Sequence, residues 1–114
     1  MNATHETHGM NRRRTVDVLG YSLTHDRATS VKLGRDVYVW RATVRHGLTI
    51  LAQHHETVRG GGWILSASCL GQSVTVCAAT FAGAHSKLGD EIVWAPKIER
   101  ALRLGREVRN GGAS

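Results

Sequence analysis

Four arginines recur at every third position near the end of the chain: Arg100, Arg103, Arg106 and Arg109. On a helix each step of three falls back by about 60°, so the set covers a broad half of the cylinder rather than a line. Such a face tracks a phosphate backbone by counterion release, or docks on an acidic protein surface. It also fits an ordinary solvated helix face, because cations are favoured near a helix C-terminus. A second group, Arg12-Arg13-Arg14, stands where ordered structure is expected to begin. A basic arm of this kind adds phosphate contacts in a neighbouring groove. Together with Arg41 and Arg45 in the middle of the chain, these residues are the candidate nucleic-acid contacts. If about six to eight phosphates are engaged, the salt slope on duplex DNA is about −5 to −7.

Other residue types point to other chemistry. Trp94 lies near an expected loop and just before Pro96 and is the candidate protein-interface anchor, since exposed Trp is a favoured hot spot. Trp40 and Trp63 fall within apolar strands and are expected in the core. His54-His55-Glu56 is the densest histidine cluster; on a strand His54 and Glu56 share a face and His55 points away. A histidine beside a carboxylate suits acid–base work, as in a metal-independent ribonuclease, with His46 or His85 as a partner brought near only by the fold. His5 and His8 lie in an N-terminal tail, and no CxxC, HExxH, P-loop, GxSxG or GxGxxG pattern is present. No cofactor and no metal are therefore expected.

These candidates require a scaffold. The 114 residues suffice for one domain with its own core, and 41% hydrophobic with 21% charged content is globular rather than disordered. The net charge of +6 excludes an acidic mimic of nucleic acid, and it is held largely at the two ends. Twelve of the fifteen cations are arginine, which matches phosphate and carboxylate forks but also follows from a GC-rich genome. No apolar run is long enough to span a membrane, and the N-terminus lacks a secretory pattern, so a cytoplasmic location is expected.

Residues 1–14 read as a flexible basic tail, 15–109 as one α+β domain and 110–114 as a second tail. A strand is expected from Thr15, with Gly20 as a bulge, and then a turn or a short helix capped by Thr24 and stopped by Gly34. From Asp36 to His46 the apolar residues alternate: Tyr38, Trp40, Ala42 and Val44 share one face. Leu48–Arg59 fits a strand or a helical stripe, and its strand neighbours favour the strand. Trp63–Leu70 and Ser73–Ala82 are further strands joined at Gly71-Gln72. That turn sets Cys69 opposite Val74 and Cys77 opposite Ser66, on opposite sides of the sheet, so the two cysteines read as small buried hydrophobes rather than a disulfide.

After Gly83 a loop is expected, with Glu91–Trp94 as a short edge strand. Pro96 then opens a helix to about Arg109, striped by Ile98, Ala101, Leu102, Gly105 and Val108, with a Glu99–Arg103 pair. Gly105 implies a close approach to the sheet. The expected fold is α+β: an antiparallel β-meander of four to five strands with a C-terminal α-helix packed on one face.

Three functions compete: a non-enzymatic nucleic-acid-binding protein, a protein-binding inhibitor or adaptor (one suited to a mobile genetic element), and a His-dependent nuclease or toxin. Homodimerisation by edge pairing or sheet packing fits either of the first two.

Overall fold

A computed structural model describes residues 15–34, 36–56 and 62–112, the last five of these by backbone alone. The three arginines at 12–14, the tail reading for 1–14, the last two residues of the tail expected over 110–114, and the side chain of Arg109 lie outside the described residues.

The chain forms a six-stranded antiparallel sheet in sequence order: β1 (Thr15–Val18), β2 (Tyr21–His25), β3 (Val37–Val44), β4 (Leu48–His55), β5 (Trp63–Cys69) and β6 (Gln72–Ala78). Helix α1 (Arg27–Leu33) interrupts the meander, and α2 (Phe81–Ile92) and α3 (Pro96–Gly112) follow it. The meander and the packing of the C-terminal helix match the expectation; the strand count is higher. The extra strand arises at Leu19-Gly20. Both residues take positive φ, 54° and 83°, and Val18 pairs with Tyr21. Gly20 is therefore a turn residue of a two-residue hairpin, not a bulge, and the first expected strand is two.

The β5–β6 turn is built in the same way. Leu70 and Gly71 take φ of 50° and 83°, and Cys69 pairs with Gln72. The turn thus sits one residue earlier than expected, and every partner shifts by two: Cys69 does not face Val74, nor Cys77 Ser66. A shift of two preserves the faces. Cys69 is buried and Cys77 is exposed on the opposite side, so only Cys69 is a core residue. Leucine at positive φ is costly, about 1–2 kcal/mol per residue, where Asn or Gly is the usual choice.

Alternation along the strands divides the sheet. Val16, Val18, Leu23, Trp40, Ile50, Ala52, Leu65 and Ala67 form one buried face. Against it pack Ala84, Leu88 and Ile92 of α2 and Ile98, Ala101 and Leu102 of α3. Leu48–His55 is a strand because its alternate residues pair into this face.

Helix α2 replaces the loop and edge strand expected over 83–95. Thr80 caps it by accepting from Gly83 N at 3.1 Å, and Ala84, Leu88 and Ile92, four apart, supply its buried stripe. Helix α1 is capped not by Thr24 but by Asp26, whose carboxylate accepts from Thr29 N at 3.1 Å and from the Thr29 hydroxyl at 2.8 Å; Gly34 follows the helix as expected.

Helix α3 extends three residues past the expected end. Its first turn is preceded by Ala95, which has no side-chain oxygen. Gln72 Oε1 on β6 accepts from Lys97 N at 2.8 Å instead, so a distant glutamine does the work of a cap. Gly105 is buried against β2, where a Cβ would overlap the Tyr21 hydroxyl.

Candidate interaction surface

The arginines are placed one by one. Arg41 lies on β3 between Trp40 and Ala42, which enter the core, so its side chain projects from the face that α2 and α3 leave open. There it pairs with Asp26 at 3.4 Å, the one ion pair among the described residues; Glu99 and Arg103 are not joined. The main-chain N–H of Thr29, then its hydroxyl, hold the Asp26 carboxyl below its ordinary value, and Arg41 and His25 act in the same direction.

Arg100, Arg103 and Arg106 are exposed on α3. The buried stripe fixes their directions. With about 100° per residue, Arg100 and Arg103 straddle the outward side, while Arg106 and Lys97 sit on opposite flanks. Arg45 is exposed in a short 3₁₀ turn, Arg45–Gly47, which packs against α3. The structure therefore brings Arg45 towards the start of α3 but leaves Arg41 on the other side of the sheet.

Where α3 meets the β3–β4 and β5–β6 turns, an open groove of about 600 Å³ is lined by His46, Cys69, Leu70, Lys97, Arg100, Ala101 and Leu104. Three contacts build it. Lys97 Nζ donates to Leu70 O at 3.2 Å, Lys97 N donates to Gln72 Oε1, and Cys69 Sγ donates to His46 O at 3.3 Å. His46 takes φ of 65° and Gly47 takes 76°, which turns the chain into β4.

Trp94 belongs to the α2–α3 corner, one helical turn before Lys97. It is 80% exposed, and Val93 beside it is 68% exposed. The corner is not a loose loop: Trp94 N donates to Glu91 O at 3.0 Å and Ala95 N to Ile92 O at 2.9 Å, and Ile92 and Ala95 are buried. Leu70, 69% exposed, is the third large apolar residue of this region. Trp40 and Trp63 are buried and stacked, 5.6 Å between centroids.

No family model, curated protein or solved structure matches the chain.

The five described histidines are spread through the fold and most have structural partners. His54 packs on Trp63 at 4.7 Å, while His55, on the opposite face, contacts Gln53 Oε1 at 3.0 Å. About 20 Å of extended strand separates His54 from the turn holding His46. His85 Nε2 accepts from Leu19 N at 2.9 Å, tying α2 to the first hairpin. Ser30 donates to Asp26 O and accepts from Val39 N, so the proton in its 3.1 Å contact with His25 Nε2 comes from the imidazole. Tyr38 is pushed up by burial, then by Glu56 and Asp36. The sequence marks Trp94 as an exposed anchor candidate and names His46 only as an acid–base partner, but gives no signal for Leu70 and Lys97, which join His46 only through separate turns.

Proposed function

We propose that the protein is a small non-enzymatic binding module that docks on an acidic protein surface, with Trp94 as its apolar anchor. The observation that carries this reading is the 80% exposure of Trp94 on a hydrogen-bonded corner, next to exposed Val93 and one turn from Lys97. A tryptophan left in water on an ordered element forgoes the burial that its large apolar surface would otherwise gain. Lys97 near the anchor and the exposed arginines of α3 supply steering towards an acidic partner, and the anchor supplies most of the affinity.

The test is affinity capture in the presence of nuclease. Trp94→Ala is expected to weaken recovery of the protein partner about 30-fold or more, about 2 kcal/mol, while the thermal midpoint stays put. Unchanged recovery removes the reading.

A second reading, nucleic-acid binding, is favoured by one observation: Arg100, Arg103 and Arg106 are exposed and have no carboxylate in ion-pair reach among the described residues. Three phosphate contacts from α3 alone give a salt slope of about −3. Capture that disappears on nuclease treatment, with a slope of that size, supports this reading instead.

A further inference from the structure

The groove beside the α2–α3 corner has a chemistry of its own. It holds two cations, Lys97 and Arg100 from the first turns of α3, and the imidazole of His46 from the β3–β4 turn. Among the described residues no Asp or Glu lines it. Its remaining surface is apolar, formed by Leu70, Ala101, Leu104 and the Cys69 side chain. Leu104 falls between Lys97 and Arg100 around the helix, so a ligand that fits carries acidic groups close beside an aliphatic side chain.

Leu70 points the same way. It occupies a positive-φ turn position that leucine rarely adopts, and its side chain stays 69% exposed. Neither backbone preference nor core packing accounts for a leucine there, whereas an apolar contact with a partner does. The Lys97 bonds to Leu70 O and Gln72 hold this rim in place before any ligand arrives, which reduces the ordering cost of binding. Lys97 Nζ donates to one carbonyl and retains two N–H groups for a carboxylate.

We propose that this groove receives an acidic, leucine-like peptide segment of the docking partner, with carboxylates on Lys97, Arg100 and His46 and an aliphatic side chain on Leu70 and Leu104. The proposal rests on the protein-docking reading and adds the chemistry of the segment recognised. Nucleic acid suits the groove less well. Among the described residues no Trp, Tyr or Phe lines it to stack a base, and Arg106 projects from the opposite flank of α3, so it does not extend the groove's own cations.

The experiment uses the full chain and a fluorescent ten-residue peptide of alternating Glu and Leu. Controls are the same peptide with Gln for Glu and a ten-nucleotide oligothymidine. Saturable anisotropy is expected below about 1 mM, with at least about tenfold weakening for the Gln peptide. Arg100→Glu should weaken binding about tenfold, and Arg103→Glu, on the outward side, less than about twofold. Leu70→Asn keeps a turn-compatible residue but removes the apolar contact: it should raise the thermal midpoint and yet weaken the peptide about fivefold.

Equal binding of the Glu and Gln peptides overturns the proposal. So does indifference to Arg100→Glu, or binding of oligothymidine alone. Trp94 lies outside the groove, so Trp94→Ala should leave the short peptide unaffected. If the peptide fails while Trp94→Ala still abolishes partner capture, the groove assignment falls and the docking reading survives. Peptide binding with Trp94-independent capture gives the converse.

Discussion

Asp26 joins three tasks in one carboxylate: it caps α1, binds the Thr29 hydroxyl and pairs with Arg41. Each favours the charged form, so its proton affinity is lower in the folded chain than in the unfolded one. The unfolded chain then binds more protons in the acid range, and stability falls as the pH drops through the ordinary carboxylate range towards the folded value. Asp26→Asn should flatten that acid limb in denaturation curves measured from pH 6 to pH 2. An unchanged limb would mean that the cap contributes nothing that titrates. Arg41 shows how far a single residue is legible. Its position on a strand face followed from alternation, but its partner sits at the start of a helix fifteen positions earlier, and no local pattern announces that meeting.

Elements differed in legibility for similar reasons. Strand β3 was readable because Trp40, Ala42 and Val44 repeat at period two. The first hairpin was not, because its turn uses Leu19 where Asn or Gly is the usual choice; the N–H of Leu19, bonded to His85, is a contact across 66 positions. Helix α2 reads as a loop in the sequence because Gly83 and Gly89 interrupt it, although Ala84, Leu88 and Ile92 carry the helical spacing. Helix α3 was readable from Pro96 and its apolar stripe, and the close approach implied by Gly105 is met by Tyr21. That contact can be measured. Gly105→Ala gains about 1 kcal/mol of helix propensity but must displace the phenol. In a double-mutant cycle by urea denaturation, it should be at least about 1 kcal/mol more destabilising in the wild-type chain than in Tyr21→Phe. Additive effects would show that the helix shifts freely at this point.

At the scale of the molecule, the cations of the described residues do not gather on one face. Arg41 serves the open face of the sheet, Lys97 and Arg100 serve the groove, and Arg106 serves the far flank of α3. The candidate site was therefore only partly visible beforehand: Trp94 was marked by its loop and the following proline, while the groove depends on three turns meeting. Strand β6 ends the sheet, and such an edge invites pairing with another chain. Lys87 from α2 donates to Cys77 O on this strand at 3.0 Å and obstructs that pairing. Lys87→Ala should give concentration-dependent association in sedimentation experiments, and a variant that stays monodisperse would show that α2 alone protects the edge.

The strand order has a kinetic consequence. Every strand pairing joins neighbours in sequence, and among the described elements α2 and α3 return across the sheet after it. Low contact order of this kind favours quick assembly for so β-rich a chain. The hairpins can zip in succession, and helix docking remains as the slow event that closes the core.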